Sequence, residues 1–131
     1  MHAPVNCRSK NTSFFRTAIR TFYQLSAIDS KFEKKTLEVV DKTIALAPTD
    51  AKLYYNKGLI LYQLNRPEEA VVSFNQALEL RPNYREAYLT LGTVYEQKKE
   101  VNRAIEQYEQ VLKFIPNDPD ALKKLEELKK N

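Results

Sequence analysis

The chain has 131 residues, a formal net charge of +4 at pH 7, two glycines, one cysteine and no tryptophan. Its length suits a single domain, its low glycine content favours helix, and no apolar run is long enough to cross a bilayer. Segment 1–28 carries the whole net charge, because the 17 basic and 17 acidic side chains that follow it balance. This balance argues against nucleic-acid binding by residues 29–131.

The predicted elements are all helices. Residues 1–13 are polar and lack periodicity, so we expect a loose N-terminal tail. Apolar residues at helical spacing then predict helices over 14–28, 31–46, 51–64, 67–80, 85–98, 101–114 and 119–130.

The helix predicted over 14–28 is basic and amphipathic. Its apolar stripe is interrupted by Arg16 and Arg20 and consists of Phe14, Phe15, Ala18, Ile19, Phe22 and Leu25. We interpret this stripe as a cover for one end of the stack of helices that follows it. Because segment 1–28 has no acidic residue, a targeting peptide or a membrane-surface segment is the alternative.

The last predicted helix has the pattern of a cap. Lysines and glutamates surround an apolar face formed by Ala121, Leu122, Leu125 and Leu128. Such a half-polar end helix keeps a repeat array soluble. The stretch NDPD at 117–120 is interpreted as the N-terminal cap of this helix rather than as a cation site.

Prolines, glycines and alanines recur at an interval of 34 residues. The matching positions are Pro48, Pro82 and Pro116, then Gly58 and Gly92, then Ala70 and Ala104. Each proline ends a helix, and the small residues let two antiparallel helices approach closely. Asn83, followed three residues later by Glu86, has the spacing of a capping box that starts the next helix.

A 34-residue period with two helices per unit resembles the tetratricopeptide repeat (TPR). Residues 51–84 match its pattern through Tyr54, Gly58, Ala70, Phe74, Ala77 and Pro82. Residues 85–118 match through Tyr88, Leu91, Gly92, Tyr95, Ala104, Tyr108 and Pro116. Residues 14–50 are interpreted as a degenerate first repeat, and residues 119–131 as the capping helix.

The resemblance implies an all-α, right-handed superhelical solenoid of antiparallel helix pairs, with about three repeats and the cap. One departure is Lys57, which stands where the family prefers leucine. We expect its stem to pack while its amine reaches water.

The resemblance also implies a non-catalytic adaptor that binds a peptide or helix of a protein partner in a concave groove. The first helix of each pair lines that groove. In the first matching repeat the implied positions are Lys52, Tyr55, Asn56, Leu59, Tyr62 and Gln63. In the second they are Glu86, Leu89, Thr90, Thr93, Glu96 and Gln97. Ordinary packing is an alternative role for Tyr55 and Tyr62.

One variant of the family grips the C-terminal carboxylates of chaperones through lysine, arginine and asparagine side chains. Here only Asn56 matches that set, and Glu86 reverses the charge at one of its basic positions. The sequence therefore argues against a chaperone-tail receptor.

No constellation for catalysis or metal binding is present outside the tail. His2 and Cys7 are the only residues of their kinds, and no glycine-rich phosphate loop exists. We therefore expect no enzymatic activity, no cofactor and no metal. The expected partner is a protein or peptide and not a nucleic acid, with membrane contact only through residues 1–28.

Three alternatives stay open. The first is a membrane-anchored or organelle-targeted repeat protein in place of a cytoplasmic one, through the basic N-terminal segment. The second is the repeat-bearing tail of a larger protein. The third is self-association through the weakly matching first repeat.

Overall fold

The computed structural model describes residues 30–130 of the chain. Within that range it contains six helices and no strand. The helices are α1 (Ser30–Leu46), α2 (Ala51–Gln63), α3 (Pro67–Leu80), α4 (Arg85–Gln97), α5 (Val101–Phe114) and α6 (Pro119–Lys130). The predicted bounds agree with these to within one residue. The predicted tail and the helix predicted over 14–28 lie outside the described residues.

The chain divides between Val39 and Val40 into two compact units, so α1 belongs partly to each. In the first unit, the Thr36 hydroxyl donates to the Phe32 carbonyl within α1, at 2.7 Å. The second unit holds the end of α1 and all of α2 to α6. There α2 pairs with α3 and α4 pairs with α5, while α3 contacts α4 and α5 contacts α6. This arrangement is an all-α repeat solenoid, as predicted.

An aromatic ring of the next helix packs directly against each of the two glycines. We call such a packing position a seat. A Cβ added to Gly58 would lie 2.6 Å from the Phe74 ring, and one added to Gly92 would approach the Tyr108 ring even more closely. Both rings are fully buried. The small residues therefore allow the close helix crossing that their spacing predicted.

The turn inside each repeat reverses the chain through a left-handed residue. Asn65 has φ 62° and Lys99 has φ 63°. After α2, the Arg66 amide donates to the Leu61 carbonyl at 2.9 Å, and the same hydrogen-bond pattern closes α4. This is the Schellman motif, in which glycine is the usual left-handed residue.

The turns between repeats are closed by tyrosine hydroxyls. Tyr54 donates to the Pro48 carbonyl at 3.0 Å, and Tyr88 donates to the Pro82 carbonyl at 3.1 Å. Each bond ties the first helix of a repeat to the corner that precedes it. The bonds themselves recur with the 34-residue period.

The helix starts differ from the prediction at one place. Asp50 caps α2 by accepting from the Lys52 amide. The predicted capping box at Asn83 is wrong, because Tyr84 is the N-cap of α4 and makes no side-chain capping bond. Tyr84 is instead buried, in one cluster with Ala77 and Ala87, where it joins α3 to α4. Packing between repeats thus replaces the local cap.

Asp118 caps α6, as the NDPD stretch predicted. One of its carboxylate oxygens accepts from the Ala121 amide at 2.9 Å, and only 2% of the residue is exposed. The guanidinium of Arg85 donates to both Asp118 oxygens and to Asp120. This ion pair fastens the start of α4 to the start of α6, and it lowers the pKa of the Asp118 carboxyl.

The cap itself is confirmed in part. Ala121 and Leu125 are buried and Leu128 is half-buried. Leu122, which was predicted on the same apolar face, is the exception, since 45% of it is exposed. Leu122 lies one residue, and so about 100°, around the helix from Ala121, which places it at the edge of the buried face.

Candidate functional site

The predicted binding residues lie on the first helices α2 and α4, and we call this surface the groove face. Five of its side chains are exposed, namely Lys52, Asn56, Gln63, Glu86 and Gln97. Seven are half-buried, namely Tyr55, Leu59, Tyr62, Leu89, Thr90, Thr93 and Glu96. The surface therefore offers partly covered apolar groups with polar groups around them.

Tyr55 is a packing residue that joins the two first helices. Its ring centroid lies 5.6 Å from that of Phe74 and 5.1 Å from that of Tyr84. Its hydroxyl is 3.2 Å from the Thr90 hydroxyl on α4. The packing alternative left open for Tyr55 is therefore the one that the structure favours, and its removal would disturb the fold.

The two threonines of the groove face use their hydroxyls within α4. Thr90 donates to the Glu86 carbonyl at 2.8 Å, and Thr93 donates to the Leu89 carbonyl at 3.1 Å. Such bonds to the preceding turn satisfy a hydroxyl on a half-buried helical face. Their methyl groups are what remains for contact with a ligand.

Glu96 belongs to a polar network that reaches α5 and α6. It accepts from the buried Tyr108 hydroxyl at 2.5 Å, and it lies 3.4 Å from the Lys124 ammonium. Burial raises the pKa of Tyr108, and the hydrogen bond to Glu96 raises it further. Tyr108 is thus a neutral donor at physiological pH. Glu96, on α4, is held in place by side chains of α5 and α6.

Lys57 packs as its departure from the family pattern suggested. Its side chain is only 26% exposed, and its ammonium lies 2.7 Å from an Asp41 carboxylate oxygen. The Lys57 ammonium therefore forms an ion pair with the second half of α1 and also contacts the solvent.

A cleft of about 350 Å³ opens where α2 and α4 end. Three predicted residues meet there, namely Tyr62, Gln63 and Gln97, together with Asn65, Pro67, Val94 and Lys98, which sequence reasoning missed. The missed residues lie in turns or on the neighbouring flank of a helix, where the repeat pattern assigns no binding role. The sequence feature that pointed to this cleft was the pair Gln63 and Gln97, which stand 34 residues apart at equivalent repeat positions.

Lys98 is the positive group at this cleft. Its ammonium lies 3.2 Å from Glu100 and 3.6 Å from Glu68 on α3. The hydrogen bond to Glu100 raises the pKa of Lys98, so its charge is fixed and already matched. The cleft thus offers an apolar floor with amides around it rather than a strong net charge.

The described residues contain neither a metal-binding cluster nor a helix that could span a membrane. Over residues 30–130 there is no cluster of three or more His, Cys, Asp or Glu side chains placed to hold a metal ion. Nor is any helix in that range both long enough and apolar enough to cross a membrane.

The helix pairs, the glycine seats and the proline corners define a repeat solenoid that presents a surface for another polypeptide. Two stretches match the tetratricopeptide repeat model, residues 51–84 and residues 86–118. The chain belongs to the tetratricopeptide repeat family. The fold and the family are those of a protein-interaction module. No curated protein sequence matches the chain significantly.

Solved structures share the fold. One is the second TPR domain of human RPAP3 in complex with the HSP70 peptide SGPTIEEVD, with a TM-score of 0.66 and 22% identity over 97% of this chain and 95% of that one. Another is the first TPR of Spaghetti (RPAP3) bound to the HSP90 peptide SRMEEVD, with a TM-score of 0.67 and 20% identity over 93% and 86%. A third is MamA, with a TM-score of 0.65 and 23% identity over 92% and 80%.

Proposed function

We propose that the chain is a non-catalytic adaptor that binds a peptide segment of a partner protein on the groove face. The observation that supports this most directly is the cleft of about 350 Å³, because residues assigned from two different repeats meet in it. Its size is at the lower end of ligand pockets, and it suits one bulky side chain rather than a whole small molecule.

The cleft indicates how the peptide is held. Tyr62 and Pro67 form a floor for an apolar anchor residue, above the fully buried Val94. Gln63 and Gln97 present amides, which both donate and accept, at the edge of that floor. Amides of this kind pair with the backbone of an extended peptide on either side of the anchor. Leu59, one turn before Tyr62, extends the apolar strip for a second anchor.

The peptides seen on the RPAP3 domains are strongly acidic, and this chain is poorly suited to them. Glu86 is exposed on the groove face, and the Thr90 hydroxyl is engaged by Tyr55 and by the Glu86 carbonyl. A peptide such as SRMEEVD should therefore bind only weakly, with a Kd above about 100 µM. Glu86→Lys should strengthen its binding. Binding of SRMEEVD at micromolar Kd to the wild type would show that an acidic tail is accepted after all.

The test of the proposal begins with peptides selected against the wild-type chain from a displayed random library. A selected peptide is then titrated by fluorescence anisotropy against Tyr62→Ala and Gln97→Ala, each first checked for its helical content. We expect Tyr62→Ala to weaken binding by about 2 kcal/mol, as aromatic anchors do. Gln97→Ala should cost about 1 kcal/mol for a lost hydrogen bond.

Gln76→Ala is the matched control, because Gln76 is exposed on the second helix α3. It should leave the affinity unchanged. If Gln76→Ala weakens binding while Tyr62→Ala does not, the peptide site lies on the second helices and the proposal is wrong.

A further inference from the structure

A second groove lies at the C-terminal end of the array, between α5 and α6. It has a volume of about 480 Å³ and is lined by Leu112, Leu122, Leu125, Glu126, Lys129 and Lys130. We call it the C-terminal groove. It shares no residue with the groove face, so it is a separate surface.

The repeat register explains what kind of element fits this groove. Moving back 34 residues converts its lining into Leu78, Tyr88, Leu91, Gly92, Tyr95 and Glu96. In the inner repeat this equivalent surface is covered by α5. The Tyr88 ring lies 5.9 Å from Phe114, Gly92 is the seat of Tyr108, and Glu96 accepts from Tyr108. The C-terminal groove is therefore an open seat for a helix antiparallel to α6.

The side chains at this seat restrict its occupant. Glu126 stands where Gly92 stands in the inner repeat, so an aromatic ring cannot rest there as Tyr108 does. An aliphatic helix with a basic group opposite Glu126 fits instead. At the far end, Lys129 and Lys130 require acidic groups on the occupant.

The helix α6 meets these conditions itself. Its exposed edge carries Leu122, and Glu126 is followed one turn later by Lys129 and Lys130. We propose that the C-terminal groove is the interface of a two-fold symmetric dimer, in which α6 of a second copy occupies the open seat. In an antiparallel pair that crosses near Leu125, the leucines of both copies form a shared apolar cluster. Each Glu126 then lies about one helical turn from Lys129 of the second copy, within reach of that long side chain.

The existing ion pair does not oppose this arrangement. Within the chain, Lys130 lies 3.2 Å from Glu126, and their side chains are 73% and 69% exposed. An exposed pair of this kind contributes little, so an exchange of partners costs little. The groove is short, so the dimer is a weak one, below the size of a standard interface.

Sedimentation velocity of the full 131-residue chain up to about 0.5 mM tests the proposal. The wild type should show a monomer–dimer equilibrium. Leu122→Lys should raise the dimer Kd by about tenfold or more, because it places a charge in the apolar cluster. Leu80→Lys is the matched control, since Leu80 is similarly exposed, at 41%, on α3. It should leave the Kd unchanged.

A charge exchange tests the symmetry. Glu126→Lys and Lys129→Glu should each weaken the dimer, and the double variant should recover most of the wild-type Kd. A wild type that stays monomeric at the highest concentration would overturn the proposal. So would a dimer that is insensitive to Leu122→Lys, since association would then occur through another surface, such as residues 1–28.

Discussion

Replacing Gly58 with alanine tests the packing principle that builds each repeat. At an ordinary helical glycine this change stabilises the fold by about 1 kcal/mol, because alanine is the better helix former. Here the new Cβ would lie 2.6, 2.7 and 2.9 Å from three carbons of the Phe74 ring. Ordinary contacts begin near 3.4 Å, so the ring or the helix must move.

The ring has little room to move. Phe74 is fully buried, and the Tyr55 ring packs against it at 5.6 Å. Overpacking of this kind costs about 1–3 kcal/mol. After the gain in helix propensity is subtracted, Gly58→Ala should lower the free energy of unfolding by up to about 2 kcal/mol.

The assay is urea denaturation followed by circular dichroism, with Phe74→Leu as the second arm of a double-mutant cycle. Phe74→Leu removes the ring and destabilises the fold on its own. In that background Gly58→Ala should be neutral or stabilising, because the obstruction is gone. Stabilisation by about 1 kcal/mol in the wild-type background would refute the reasoning, since Gly58 would then be an ordinary helical glycine.

Two further predictions concern the turn inside the second repeat and the cap. Lys99→Gly should raise the free energy of unfolding by about 1 kcal/mol, because a left-handed conformation is costly for lysine. Asn65→Gly should raise it less, because asparagine tolerates that conformation. Equal changes in the free energy of unfolding of the two variants would contradict this prediction. The lowered pKa of Asp118 predicts stability that is present above about pH 4, the unfolded value, and is lost as pH falls further towards the folded pKa. Asp118→Asn keeps a capping side chain but removes the charge that faces Arg85, so it should lower the free energy of unfolding at pH 7 by about 1–2 kcal/mol. The variant should also lose less stability than the wild type as the pH falls. An identical dependence of stability on pH in the wild type and the variant would contradict this prediction.

The helix bounds could be predicted because their signals are local. Pro48, Pro82 and Pro116 each follow the end of a helix, and their 34-residue interval then assigns the helices in pairs. The left-handed turn residues could not be identified in this way, because Asn65 and Lys99 stand where glycine is the usual signal. The capping box predicted at Asn83 is absent because Tyr84, the N-cap of α4, is fixed by burial between repeats and not by a local capping bond.

The sequence could assign the candidate residues to the first helices, but it could not assign the role of each residue. Tyr55 and Tyr62 share one helix, and their spacing alone does not separate a packing residue from a binding residue. What distinguishes them is the Tyr84 ring, which the next repeat brings to 5.1 Å from Tyr55. Asn65 and Lys98 join the cleft only because the ends of α2 and α4 meet in three dimensions.

The central claim is that a partner peptide binds on the groove face with its anchor in the cleft at Tyr62. Backbone amide chemical shifts of the isotope-labelled chain, recorded while a library-selected peptide is added, test it most directly. The largest changes should fall in residues 59–65 and 94–98, at the ends of α2 and α4. Changes concentrated on the second helices α3 and α5, with residues 59–65 and 94–98 unmoved, would contradict the account.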